Sequence, residues 1–226
     1  MFACGAQKAE VTWQEGDVPV SVRFADPYFA LGNGLAETRH VFLAGNDLPE
    51  RFRPGFQIAE LGFGTGLNAL AAAQAWNESG QSGHLNYTSF EAFPIGAREM
   101  ERALSVWPEL APLAEPLVRA WGAGARFIEL LGLRLTVVEG DAREMLTHWT
   151  GRADAWFLDG FSPSRNPELW EEALLADVAA HTPPGGTFAT YSAASAVRNR
   201  LSAAGFEVER VPGFGRKRHM TRGRQP

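Results

Sequence analysis

Cysteine is almost missing from this sequence, with Cys4 the single example among 226 residues. An intramolecular disulfide and a cysteine-rich metal site are thereby excluded, which fits a reducing, cytoplasmic setting. The five histidines (His40, His84, His148, His181 and His219) are scattered without HExxH-type spacing, so no metal is expected. No apolar run reaches the roughly 18 residues of a membrane span. The start, MFACGAQKAEVTWQEGD, has no basic stretch followed by an apolar one, so a soluble protein without a membrane partner is expected. Positive charge is also scarce: Lys and Arg total 21 against 26 Asp and Glu, a net charge of -5 that does not announce nucleic-acid binding. The exception is local, because residues 207–226 hold Arg210, Arg216, Lys217, Arg218, Arg222 and Arg224 against Glu207 and Glu209. From charge alone this end reads as a solvated tail or as a basic surface.

What is present is an alternation of elements. With 45% hydrophobic and 21% charged residues, the chain can bury one sizeable core and a small appendage. Strands are expected at Phe56–Leu61, Asn86–Phe90, Leu133–Val138, Asp154–Leu158 and Gly186–Tyr191, the third paired with Arg126–Leu130. Helices are expected at Leu67–Trp76, Ile95–Leu104, Ala142–Trp149, Glu168–His181 and Ala196–Ala204. Phe206–Val211 and Lys217–Thr221 form a closing hairpin. The class is α/β, a mostly parallel sheet with helices on both faces and a C-terminal antiparallel hairpin. Residues 1–54, punctuated by Gly, Asn and Pro, are expected to form an N-terminal extension over one edge of the main domain, residues 55–226.

In such a sheet, ligands sit at the carboxyl ends of the strands. The first predicted strand runs into ELGFGTGLN, where Gly62, Gly64 and Gly66 let backbone N–H groups approach a ligand. The next strands end in Glu91, then Glu139-Gly140-Asp141, then Asp159-Gly160-Phe161. A dinucleotide fingerprint would need GxGxxG, but the sixth position from Gly62 is Leu67, leaving GxGxG. Glu60 also suits a cationic amino-acid moiety better than a pyrophosphate. S-adenosylmethionine carries an amino group, a sulfonium, a ribose and an adenine, with no phosphate. Glu60 and the glycine loop, Glu91 for the ribose and Asp141 near the adenine amino group match it better than NAD.

Asp159, at the end of an apolar strand, is the expected catalytic group, with the Phe161 face beside it. Methyl transfer from a sulfonium is an in-line displacement that needs a neutral amine, which a carboxylate can orient or deprotonate. Phe161 and Phe63 can favour the sulfonium by cation–π attraction, typically ~0.5 to 2 kcal/mol. The alternative makes Asp159 a helix cap and Phe161 a core residue.

The blocks FADPYFALGNGLAETRHVFLAGNDLPERF, ELGFGTGLN, YTSFEAFP, EGDA, WFLDGFSPSRNPELW and GFGRKRHM resemble the methyltransferase domain of the MnmC family, also found as the stand-alone MnmD enzymes. The similarity runs from about Val18 to Arg224. It implies a class I Rossmann-like methyltransferase that uses S-adenosylmethionine to methylate the amine of 5-aminomethyl-2-thiouridine at the tRNA wobble position. By resemblance, Glu60, Gly62, Phe63, Gly64 and Gly66 hold the methionine end of the cofactor, Glu91 its ribose and Asp141 its adenine. Asp159 takes the catalytic position, and Phe161 and Pro163 shape the amine pocket. Tyr28, Asn33, Gly34 and Glu37 line the same cleft, or alternatively form a capped loop. Arg216, Lys217 and Arg218 are the candidate phosphate contacts in the anticodon loop, unless they serve as a basic edge strand that resists pairing. Bifunctional members carry an FAD-dependent oxidase domain that makes the aminomethyl substrate. No such domain and no FAD site are expected here, so the chain is expected to be either a stand-alone enzyme or a portion of a longer one, with a separate or missing FAD-dependent oxidase as its partner. An amine methyltransferase for a small molecule or protein, and a non-catalytic tRNA-binding module, are the alternatives.

Overall fold

The apolar run ahead of the glycine loop is buried on both faces, with Ile58 and Ala59 fully inaccessible and Leu61 nearly so. Two-sided burial belongs to the middle of a sheet covered by helices. The computed structural model describes residues 8–30 and 33–226 and contains that sheet. Cys4 and the remainder of residues 1–7 and 31–32, part of the expected N-terminal extension, lie outside the described residues. In chain order the elements are β1 (Val11–Gln14), β2 (Val18–Ser21), β3 (Asp26–Pro27), α1 (Gly34–Thr38), β4 (Gln57–Leu61), α2 (Leu67–Glu78), β5 (Leu85–Glu91), α3 (Ala97–Leu104) and α4 (Ala111–Gly122). They continue with β6 (Phe127–Leu130), β7 (Leu133–Glu139), α5 (Ala142–His148), β8 (Ala155–Leu158), α6 (Glu172–Ala180), β9 (Thr187–Thr190), α7 (Ser195–Ala203), β10 (Glu207–Pro212) and β11 (His219–Arg224). Among the described residues no helix is long and apolar enough to cross a membrane.

The main sheet has the order β10-β11-β9-β8-β4-β5-β7-β6. Its centre, from β9 to β7, is parallel, while β6 and the β10–β11 hairpin pair antiparallel at the two sides. The chain winds outward from β4 through β5 to β7, then returns to β8 and β9 on the other side. Strand order therefore reverses between β4 and β8, where a crevice opens at the carboxyl ends.

Successive strand residues point to opposite faces. Ile58, Tyr87 and Phe157 enter one core with Met100, Leu117 and Trp121, beneath α2, α3 and α4. Ala59, Phe90, Trp156 and Leu158 enter the other, with Leu146, Leu175 and Leu201 of α5, α6 and α7. Four buried alanines of α2 (Ala69, Ala71, Ala72 and Ala73) let that helix lie close to the sheet. Carried two residues further, the period that sends Ile58, Tyr87 and Phe157 to the α2 face sends Glu60, Ser89 and Asp159 to the same face. The strand registers set Glu60 opposite both Ser89 and Phe157.

Three elements differ from expectation. Helix α4 falls in a stretch to which the sequence pattern assigns no element, and its two prolines, Pro112 and Pro116, weaken its helical signal. Pro112 stands in the first turn, where its missing N–H costs nothing, and burial of Leu113, Leu117 and Trp121 offsets the bond lost at Pro116. The single helix expected at Glu168–His181 is a 3-10 turn at Pro167–Trp170 followed by α6, because Glu171 is extended between them. The described part of the N-terminal segment packs against a face of the sheet. It forms a small antiparallel sheet, β1-β2-β3, then α1 and a wider π turn at Arg39–Leu43. Val41, Phe42 and Leu43 join the α2-face core, and Phe42 stacks on Phe157 of β8 at 5.4 Å. An apolar trio of this kind needs a face for its burial, which an edge strand does not offer.

Candidate active site

The carboxyl ends of β4, β5, β7 and β8 border a cleft of about 1010 Å³, roofed by the N-terminal segment and the β10–β11 turn. Two glycines shape its floor. Gly62, at φ +91°, leaves β4 so close to the next loop that a Cβ would strike the Asp159 carbonyl oxygen. Gly64, at φ +54°, lies under the Tyr28 ring, 3.2 Å from where its Cβ would stand. Glu91 ties this loop down, its Oε2 accepting from the Gly64 N–H at 3.0 Å and its Oε1 from the Phe93 N–H at 2.7 Å. Burial raises the Glu91 carboxyl above its ordinary range, although these backbone donors pull the other way.

Behind the loop lies a chain of hydrogen bonds. Glu60 is fully buried; its Oε1 accepts from Asn68 Nδ2 at 2.9 Å and its Oε2 from the Ser89 hydroxyl at 2.7 Å. Asn68 Nδ2 also donates to Asp159 Oδ2 at 2.6 Å, and its Oδ1 accepts from the Thr38 hydroxyl at 2.8 Å. Asn68, in the first turn of α2 and itself held by Glu60 and Thr38, thus fixes one carboxylate oxygen of Asp159. Burial is the leading cause that pushes Glu60 up to about 8 and Asp159 up to about 7. Among the described residues only Oδ2 of Asp159 carries a hydrogen bond, so Oδ1 remains available at the cleft.

The roof supplies aromatic and charged groups. Phe161 stacks on Phe24 at 4.8 Å and meets Tyr28 edge-on at 5.1 Å. Asp26 Oδ2 accepts from the Ser162 N–H at 2.8 Å, fastening β3 to the loop after β8. Burial, with Glu91 adding to it, holds the Tyr28 phenol well above its ordinary range, so it stays protonated. Lys217, in the turn between β10 and β11, donates to Glu37 Oε1 at 2.8 Å.

Of the residues named from the sequence, Tyr28, Gly34, Glu37, Gly62, Phe63, Gly64, Glu91, Asp141, Asp159, Phe161 and Lys217 border this one cleft. Others do not. Glu60 is sealed behind the loop and reaches the cleft only through Asn68, since the strand period turns it under α2. Gly66 precedes α2 and faces Phe63 and Leu117, so it serves the turn. The Phe63 ring is buried against Trp121 at 5.1 Å, which removes it as a face for a sulfonium. Asn33 caps α1 by accepting from the Ala36 N–H, the capped-loop alternative. Pro163 lies in the turn beyond the cleft lining. Arg216 and Arg218 are exposed outside the cleft, in a turn and not on an edge strand. Asp141 is the cap of α5 and is ion-paired with Arg143 at 2.6 Å, which leaves only its remaining lone pairs for an adenine. Asn68 and Thr38 were missed; Asn68 closes ELGFGTGLN, but its contact with Asp159 spans 91 positions and leaves no local trace.

The donor set fits S-adenosylmethionine. The cleft has the volume of a small-molecule site, typically ~300 to 1,000 Å³. Its lining is rich in carboxylates, with bare backbone at Gly62 and Gly64, as a cationic amino-acid nucleoside requires and a pyrophosphate would not.

Residues 108–226 match the family described as S-adenosyl-L-methionine-dependent methyltransferase. Among curated proteins, the bifunctional tRNA 5-methylaminomethyl-2-thiouridine biosynthesis protein MnmC of Chromobacterium violaceum is 45% identical over 95% of this chain and 34% of its own length. The protein of the same name from Caulobacter sp. is 48% identical over 91% of this chain and 36% of its own. The chain spans about a third of the length of these relatives. Among solved structures, MNMC2 from Aquifex aeolicus aligns with a TM-score of 0.79 at 27% identity, covering 99% of this chain and 73% of that one. With its strand order, its acidic strand ends and its glycine loop, the chain belongs to the S-adenosyl-L-methionine-dependent methyltransferase family, in the branch of MnmC and MnmD.

Proposed function

We propose that this cytoplasmic enzyme N-methylates the aminomethyl group of 5-aminomethyl-2-thiouridine at the tRNA wobble position, giving 5-methylaminomethyl-2-thiouridine. The relatives' names supply the substrate class. The observation that carries the chemistry is Asp159, clamped by Asn68 with one carboxylate oxygen left at the cleft beside Phe161. Backbone at Gly62, Phe63 and Gly64 would hold the methionine end of the cofactor, Glu91 the ribose hydroxyls, and Asp141 the adenine amino group, with Tyr28 and Glu37 closing the cleft. S-adenosylmethionine supplies, when bound, an electrophilic methyl on a sulfonium.

A primary alkyl amine is cationic at neutral pH. Asp159, with a proton affinity near neutrality, takes one proton from the ammonium and leaves a nitrogen lone pair. That lone pair forms the N–C bond while the methyl–sulfur bond breaks with its electrons going to sulfur. The product is a secondary ammonium, cationic like its precursor, and Asp159 passes the proton it took to solvent, which resets the site. Phe24, Tyr28 and Phe161 offer flat apolar faces to a base that has left its stack in the anticodon loop. The exposed Arg216 and Arg218 are the proposed phosphate contacts. An FAD-dependent oxidase activity would supply the aminomethyl tRNA. Incubation of hypomodified tRNA with the protein and S-adenosylmethionine, followed by nucleoside analysis, should convert the aminomethyl base to its methylaminomethyl form. Transfer to free amines or to protein, with tRNA untouched, would replace this substrate assignment.

A further inference from the structure

Lys217 is the one part of the basic turn that enters the cleft. Its ammonium donates to Glu37 Oε1 at 2.8 Å and stands 4.1 Å above the Tyr191 ring. Glu37 is nearly buried, with its side chain 11% exposed, whereas that of Lys217 is 44% exposed. The Tyr191 hydroxyl donates to the Gly160 carbonyl at 2.7 Å, which fixes the ring beside Asp159. Glu37, Tyr191, Asp159 and Lys217 all border the same cleft. A carboxylate on one side, an aromatic face beneath and a second carboxylate nearby form a seat for an alkylammonium.

We propose that Glu37, Tyr191 and Asp159 form the binding seat for the substrate's ammonium, and that the Lys217 side chain is a resident cation which the substrate must displace. The identity of that substrate rests on the amine-transfer reading above; the seat itself does not. The two cations have the same chemistry, a primary ammonium on a methylene. Seating the first keeps the acids of the cleft compensated while no substrate is there. Arg216 and Arg218 flank Lys217 in an exposed turn, so an anionic partner bound at those guanidiniums pulls on the same short segment. A free nucleoside cannot do so and must compete with Lys217 unaided. This gives the site a reason to accept the amine on RNA and to ignore it alone. Lys217 also lowers the proton affinity of Asp159, so its departure leaves that carboxylate a better proton acceptor.

The test is calorimetric binding of 5-aminomethyluracil, with 5-hydroxymethyluracil as the uncharged control. Lys217→Met should bind the amine at least ~10-fold more tightly than the unmodified protein, with no gain for the hydroxymethyl compound. Adding Glu37→Gln to that variant should abolish the gain. Equal or weaker amine binding by Lys217→Met, an equal gain for the control, or a gain that survives Glu37→Gln would overturn the proposal. If the gain appears but tRNA is never methylated, the seat stands and the tRNA assignment falls.

Discussion

Asp159 directly follows β8, with its carboxyl pushed up to about 7, mainly because burial penalises the charged form and then because Glu37 lies near. In its proposed role as proton acceptor it must start ionised, so kcat/KM for transfer should fall as pH drops below about 7. The Asn68 hydrogen bond lowers that value, and Asn68→Ala should move the acidic limb to higher pH. A pH profile identical in the variant would separate Asn68 from the chemistry. Glu60 yields a different kind of prediction. Its carboxyl keeps its proton to about 8 in the folded protein, against 4.5 in the unfolded chain. Its folded-state value is raised, so the stability it contributes is complete below ~4.5 and is lost as pH rises through ~8. Glu60→Gln keeps the neutral shape and cannot ionise. Its melting temperature should gain on the unmodified protein between pH 5 and pH 8.5, by roughly a few kcal/mol in stability terms. Parallel melting curves over that range would show Glu60 to be ionised at all of them.

The loop between β4 and α2 works as an element because it is wedged between two others. Gly62 meets the Asp159 carbonyl on one side and Gly64 lies under Tyr28 on the other. Gly62→Ala would combine positive φ with a backbone collision, and should cost about 2 kcal/mol or more. Thermal unfolding and S-adenosylhomocysteine binding should both suffer, whereas a variant with the stability and affinity of the unmodified protein would mean that the two loops are not in contact. The strands of this element set were legible in the sequence because buried parallel strands are continuous apolar runs, and their acidic ends follow each run directly. What the sequence did not disclose was the face on which each acid falls. Glu60 looked like a cofactor ligand, but the pleat turns it under α2, where Ser89 and Asn68 hydrogen-bond it. The helical signal of α4 is weakened by Pro112 and Pro116, whose local cost is outweighed by tertiary burial of Leu117 and Trp121. The N-terminal roof was recognised as part of the cleft through Tyr28 and Glu37, but its contacts with Ser162 and Phe161 join distant segments and leave no periodicity behind.

At the scale of the whole molecule, the proposed function requires a net charge of -5 to coexist with a polyanionic substrate. Affinity would then come from a small basic surface, for which Arg216 and Arg218 beside the cleft are the proposed residues. Replacing both with Ala should weaken tRNA binding and reduce the slope of log affinity against log salt by about 1.5, since each phosphate contact contributes ~0.7 to 0.9. Cofactor binding should be unaffected, because neither arginine borders the cleft. A slope unchanged in the double variant would move the RNA surface elsewhere on the molecule. The same separation of cofactor from acceptor gives the most direct check on the whole account. In Asp159→Ala, S-adenosylmethionine binding by equilibrium dialysis and single-turnover methyl transfer to hypomodified tRNA should part company, with affinity held within about threefold and transfer reduced ~100-fold or more. Transfer that persists at an ordinary rate, or a loss of cofactor affinity that alone accounts for the lost transfer, would contradict it.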